Sequence, residues 1–215
     1  MNEKYELLAN DAKQLGDKTL YRIRALVAIS SVAAGDLGGY IETEKNLSTS
    51  GNAWVFDNAR VFDNARVSGN AWVSGNARVS GNAWVSGDAW VSGDARVFDN
   101  ARVSGNARVS GDARVSGNAW VSGNAWVSGD AWVSGDAQVL KSADILQIGP
   151  SKSSGRFTTA HIDKKIGVRV NCGCFSGTVK EFSDAIEEAH KNNQEYLEQY
   201  RLFCQLIAFN FGVTK

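Results

Sequence analysis

The stretch that decides the fold runs from Gly51-Asn-Ala-Trp-Val-Phe56 to Gly135-Asp-Ala-Gln-Val-Leu140: a six-residue unit that recurs fifteen times without an insertion. Alanine fills the third position of every unit and valine the fifth. The first position is Gly except at Asp57, Asp63 and Asp99, and the second is always Asn or Asp. The fourth holds Trp, Arg or, once, Gln138. Within Ala-Trp-Val-Ser the side chains alternate as in a strand, with Ala and Val on one face and Trp or Arg and Ser on the other. The Gly-Asn or Gly-Asp pair then turns the chain, because both residue types tolerate positive φ. A six-residue period keeps no apolar stripe on a helix. A short strand and a turn every six residues predict a solenoid with a narrow Ala/Val interior, each strand bonded to its copy one coil away.

Val73-Ser-Gly-Asn-Ala-Arg78 resembles the hexapeptide repeat, in which an aliphatic residue is followed four positions later by a small one. The flanks Tyr21-Arg-Ile-Arg-Ala-Leu26, Gly35-Asp-Leu-Gly-Gly-Tyr-Ile-Glu42, Asn46-Leu-Ser48 and Gly173-Cys-Phe-Ser-Gly-Thr178 resemble hexapeptide-repeat proteins met in bacteriophages and prophages. The resemblance implies a left-handed parallel β-helix of triangular section with three hexads per coil, so that residues eighteen apart stack. Fifteen hexads then give about five coils, roughly 24 Å long at about 4.8 Å per coil. The first column holds Trp54, Trp72, Trp90, Arg108 and Trp126; the second holds Arg60, Arg78, Arg96, Arg114 and Trp132; the third holds Arg66, Trp84, Arg102, Trp120 and Gln138. The expected fold is mainly β: an N-terminal β cap (1–46), the β-helix (47–149) and a C-terminal α+β module (150–215).

Composition narrows the function. The 215 residues carry 23 Lys and Arg against 23 Asp and Glu. Zero net charge removes the long-range attraction that a binder of long nucleic acid or of a membrane surface uses. No run approaches a membrane span, and Met1-Asn-Glu-Lys-Tyr-Glu6 lacks the basic and apolar segments of a secretory signal. Three cysteines, all after residue 170, argue against a disulfide framework and for a reducing compartment, the cytoplasm; the phage resemblance implies that of a bacterial host.

Trp and Arg fill the expected outside. Arg60, Arg78, Arg96 and Arg114 of the second column are the candidate ligand-binding residues, with Trp72, Trp90 and Arg108 of the first and Trp84, Arg102 and Trp120 of the third. Stacked rings receive an aromatic group and guanidinium forks receive phosphate. The leading expectation is therefore a non-enzymatic phage or prophage protein that captures a small nucleotide-like signal of host immunity. The same side chains suit a subunit interface, and the resemblance implies a homotrimer. They also serve simply as bulky strand-formers that shield a thin core. Eight aspartates in the repeats against seven arginines are expected to neutralise the ladders in part.

Three other functions stay open: inhibition of a host defence protein by direct binding, an acyltransferase, and a structural spacer in a virion. The acyltransferase requires a histidine base. The only histidines, His161 and His190, lie outside the repeats, and His161 is its candidate. No cofactor or metal is expected. Corner aspartates are scattered among columns rather than converging as calcium requires, and Cys172-Gly-Cys174 reads as reduced thiols rather than a zinc site.

The ends read as caps over the cut solenoid. Thr19–Ile29 is strand-like, and Gly38-Gly39 marks a turn into the first coil. Lys141–Ile148 reads as one degenerate coil, Pro150–Gly155 as a linker, and 156–175 as a hairpin turning near Lys164–Gly167. Thr178-Val-Lys-Glu181 fits a capping box opening a helix that carries Val179, Phe182 and Ile186. A second helix is expected from about Asn193, burying Leu197, Tyr200, Phe203, Leu206 and Ile207.

Overall fold

A computed structural model describes residues 2–213; the extreme ends of the two expected caps, Met1 and residues 214–215, lie outside it. Fifteen two-residue strands, from β4 (Trp54–Val55) through β18 (Gln138–Val139), form a parallel β-solenoid. Each from β4 to β15 pairs with the strand eighteen residues on. Trp54 faces Trp72, which faces Trp90, then Arg108 and Trp126. Arg60, Arg78, Arg96, Arg114 and Trp132 follow one another on the next face. Arg66, Trp84, Arg102, Trp120 and Gln138 do so on the third. Every repeat alanine and valine is buried, which is why these two positions do not vary.

The corners follow the same logic. Gly at the first position takes φ near +65°, for example 69° at Gly93. A Cβ there would lie 2.9 Å from the Gly111 amide one coil on, so glycine answers both conformation and crowding. Asp57, Asp63 and Asp99 adopt the same conformation. Their carboxylates accept the amides of Gly75, Gly81 and Gly117, each one coil on, at 2.9, 3.0 and 3.1 Å. Asn64, Asn82, Asn100, Asn118 and Asp136 form a hydrogen-bonded file along one edge.

The solenoid is polar along its axis. Amides donate forward, as Trp90 N does to Ala107 O at 2.9 Å and Ser92 N to Val109 O at 2.9 Å. The first coil is thus left with open carbonyls and the last with open amides, each costly if buried without a partner. The two caps answer with opposite chemistry. At the start, β1 (Tyr5–Leu15) and β2 (Lys18–Ala25) form a hairpin, and β3 (Leu37–Ile41) joins β2 to the solenoid. Lys4 Nζ donates to Ser48 O at 3.0 Å and Ala53 O at 2.8 Å, and Tyr5 Oη donates to Leu47 O at 2.7 Å. Tyr40 of β3 pairs with Arg60, twenty residues on rather than eighteen. Gly38 and Gly39 are not a turn. They lie within β3, where a Cβ would sit 2.6 Å from Val55 O and 2.7 Å from Ala59 O respectively.

At the far end the cap supplies acceptors. It contains β19 (Ile145–Ile148), β20 (Thr158–Asp163), β21 (Gly167–Cys172) and β22 (Phe175–Thr178), in antiparallel order, followed by α1 (Val179–His190) and α2 (Gln194–Phe211). Ile145–Ile148 is therefore not a last coil: its backbone pairs with β20. Alternate residues of β20 face the solenoid. Thr159 Oγ1 accepts Trp132 N at 3.1 Å, His161 Nε2 accepts Ser134 N at 3.3 Å, and Asp163 Oδ2 accepts Asp136 N at 3.2 Å. Thr178 and Glu181 cap α1 reciprocally. Phe182 and Ile186 of α1 pack with Tyr200, Phe203 and Ile207 of α2. Leu206 is not buried but 51% exposed, because it falls on the flank of the stripe that Leu197, Tyr200, Phe203 and Ile207 bury.

Candidate functional site

The ladders stand on the outside, with one exception. Trp54 is fully buried, in edge-to-face contact with Tyr5 at 6.2 Å. The N-terminal hairpin covers the top of its column. Trp84, Trp90, Trp120 and Trp126 are between 41% and 58% exposed, and Trp72 and Trp132 are half-buried.

Their orientation differs from a parallel stack. Each of five indole N–H groups donates to a serine sixteen residues back, on the preceding coil: Trp84 to Ser68 at 3.1 Å, Trp90 to Ser74 at 3.2 Å and Trp120 to Ser104 at 3.1 Å, with Trp126 to Ser110 and Trp132 to Ser116 both at 3.4 Å. Where Phe56 replaces serine, Trp72 meets its ring instead at 5.3 Å. Trp72 and Trp90 are inclined by 78°, the edge-to-face arrangement that aromatic quadrupoles favour. The sixth-position serine thus latches an indole of the next coil and leaves the ring's apolar surface outward.

The arginines are the unspent charge. Arg60, Arg78, Arg96 and Arg114 stack at about 4.8 Å on one face. Arg66 and Arg102 occupy the face of Trp84 and Trp120, and Arg108 lies 5.9 Å over the Trp90 ring. Among the described residues none of the seven solenoid arginines forms an ion pair. Corner aspartates still share their grooves, Asp94 with Arg78 and Arg96, and Asp112 and Asp130 with Arg114, without closing to an ion pair. Like charges in register on a sheet repel, and here four repeat in succession.

Three concavities adjoin these surfaces. A groove of about 180 Å³ runs past Asn58, Arg60, Asn76, Arg78, Asp94 and Arg96. A hollow of about 370 Å³ lies at Trp72 and Trp90. A larger cleft, about 560 Å³, opens where Arg114 and Trp132 meet the C-terminal module. That cleft adds Arg156 and Phe157, from the start of the expected C-terminal hairpin; only the folded junction brings them to the arginine file. A fourth cavity of about 530 Å³ lies between α1 and α2 with Ile166, Val168, Val179 and Ala208 in its wall. Its cations are already paired, Lys180 with Asp184 at 2.7 Å and Arg201 with Glu187 at 2.6 Å.

His161, the candidate base, is sealed beneath the sheet with no exposed surface. Burial pushes its pKa down to about 4, so it is neutral, and its Nε2 is held by the Ser134 amide and by Asn171 at 3.2 Å. No acceptor substrate reaches it. His190 stacks on Tyr200 at 5.0 Å. No disulfide joins Cys172, Cys174 and Cys204. Among the described residues no three His, Cys, Asp or Glu side chains converge as a metal site would require, and no helix is long and apolar enough to cross a membrane.

No curated protein matches the chain. Residues 59–75, 71–87, 77–93, 89–105, 95–111, 101–117, 107–123 and 113–129 match the family model of the YdcK β-solenoid repeat. Over that central third the chain is thus similar to a β-solenoid repeat family, in keeping with the stacked coils that those residues form.

Proposed function

We propose that this protein is a non-enzymatic binder whose arginine file, flanked by indoles, holds a small anionic ligand bearing an aromatic ring, of the nucleotide class. The observation that carries this reading is the absence of any carboxylate partner for Arg60, Arg78, Arg96 and Arg114 among the described residues. An in-register file of cations is self-repelling until an anion joins it. Guanidinium forks match phosphate oxygens, and indole surfaces accept a base. The resemblance to hexapeptide-repeat proteins adds a left-handed winding, a homotrimer, a phage or prophage origin and a place in the bacterial host cytoplasm. Under that origin the ligand is a nucleotide-like signal of host immunity. The test is a thermal shift with a panel of mono-, di- and cyclic nucleotides. A rise in melting temperature is expected with at least one of them, and its loss in the Arg78→Ala/Arg96→Ala/Arg114→Ala protein. No shift with any nucleotide contradicts the reading.

A second reading rests on a different observation. The half-exposed rings of Trp84, Trp90, Trp120 and Trp126 flank a single edge of the solenoid, with their N–H groups already satisfied. Exposed apolar surface of this kind marks a contact surface, for a second copy of the chain or for a host defence protein that it would inhibit. Native mass spectrometry that finds only single chains, unchanged by Trp84→Ser/Trp120→Ser, contradicts the self-association form.

A further inference from the structure

The cleft at the junction of solenoid and C-terminal module differs in kind from the other concavities. Its floor is committed to structure: Thr159 Oγ1 receives Trp132 N at 3.1 Å and Asn171 Nδ2 donates to Trp132 O at 2.8 Å. Its walls are not. The side chains of Arg114, Arg156, Asp112 and Asp130 line it and make no ion pair among the described residues. Two rings, Trp132 and Phe157, and Cys174 also line it. Arg156 lies across Gly173, where a Cβ would stand 2.8 Å from its Nη1. The turn that needs glycine for its φ of 61° also leaves room for the guanidinium. The volume, about 560 Å³, lies within the range that encloses a small organic ligand.

The charge pattern selects among ligands. Two guanidiniums alone would accept any phosphate. Two carboxylates beside them penalise a bare polyanion and reward a ligand that also presents N–H donors. Aspartate accepts from the exocyclic amine of a base, as carboxylates do from cytosine N4, while rings hold the base plane and arginine holds phosphate. We infer that this cleft is a binding site for a nucleoside phosphate whose base carries an exocyclic amino group. The inference rests on the ligand class proposed above. It adds a location outside the repeats, a base preference, and a residue, Arg156, that belongs to no ladder.

The probe is adenosine monophosphate, followed by titration calorimetry on the full chain, with inosine monophosphate and ribose 5-phosphate as comparisons. Inosine monophosphate lacks the amine and ribose 5-phosphate lacks the base. Both are expected to bind at least tenfold more weakly. Arg156→Ala is expected to weaken adenosine monophosphate at least tenfold. Asp112→Asn/Asp130→Asn is expected to bring adenosine and inosine monophosphates to within about twofold of each other. Lys45→Ala, an exposed residue at the far end of the solenoid and outside both candidate sites, is expected to change affinity less than twofold. All these side chains are on the surface, and unchanged melting temperatures of the unliganded variants verify the fold. If Arg78→Ala/Arg96→Ala abolishes binding and Arg156→Ala leaves it unchanged, the cleft is overturned and the ladder reading survives. If ribose 5-phosphate or inosine monophosphate matches adenosine monophosphate, the base preference is overturned. If adenosine, guanosine and cytidine monophosphates all fail to bind while another nucleotide of the panel raises the melting temperature, the cleft inference is overturned and the ladder reading survives.

Discussion

His161 Nε2 accepts the backbone amide of Ser134 at 3.3 Å, standing where the carbonyl of one more coil would stand. Thr159 and Asp163 do the same on either side, for Trp132 and Asp136. One strand of the C-terminal module thus terminates the ladder with side-chain acceptors, while Lys4 and Tyr5 terminate the other end with side-chain donors. Growth of the solenoid stops because both sets of open backbone groups are matched in sign.

This gives stability a pH dependence. Burial lowers the folded pKa of His161 to about 4 from 6.5. Between those values the unfolded chain binds the proton and the folded chain does not, so stability rises with pH across that window and is lost as pH falls from 6.5 toward 4. Urea unfolding is expected to show about 2 kcal/mol less stability at pH 5 than at pH 7 from this residue. In His161→Asn that increment should vanish; its persistence would show that the histidine is not the group responsible.

Removing the donor at the opposite end tests the same principle. Lys4→Met leaves the Ser48 and Ala53 carbonyls without the ammonium donor and is expected to cost about 1–3 kcal/mol. Lys13→Met, at an exposed hydrogen bond to Asn58 and a cation–π contact 4.0 Å over the Tyr40 ring, is expected to cost no more than about 1 kcal/mol. Chemical denaturation of the two variants side by side makes the comparison.

How much of this was legible in the sequence depends on whether a feature repeats. Arg96 over Arg114 follows from counting eighteen residues, because Ala and Val in every hexad admit only one way round. Trp54 obeys the same count and still turns out buried: what covers it, Tyr5 from a hairpin, is not part of the period. Thr159, His161 and Asp163 alternate along a strand, but nothing local says that strand lies across the end of the coils. Arg156 joins the candidate site only because the segment leading into β20 lies beside Trp132. The sixth-position serines carried a readable signal, since they sit sixteen residues before the tryptophans they latch. Alternation with Ala and Val puts them on the outer face, but it does not name the indole each one meets.

The buried tryptophan has a spectroscopic consequence. Trp54 is sealed under Tyr5, whereas Trp84, Trp90, Trp120 and Trp126 are near half-exposed. Acrylamide is expected to quench most of the fluorescence and to leave one resistant component. Trp54→Phe should abolish that component. A resistant fraction unchanged in the variant would contradict the covering of this column.

The corners yield a paired prediction. Gly93→Ala places a methyl 2.9 Å from the Gly111 amide at φ 69°, and is expected to cost about 2–3 kcal/mol. Gly155 has φ 67° but nothing within 4 Å, so Gly155→Ala is expected to cost about 1 kcal/mol from backbone strain alone. Thermal melts of both variants separate coil stacking from conformation.

The ladder account is tested most directly by labelling arginines with phenylglyoxal and reading each site by mass spectrometry, with and without the nucleotide that shifts the melting temperature. Protection is expected at Arg114, Arg96 and Arg78 on one face, while Arg66, Arg102 and Arg108 on the other faces continue to react. Equal protection on all three faces, or none on the face of Arg114, would contradict it.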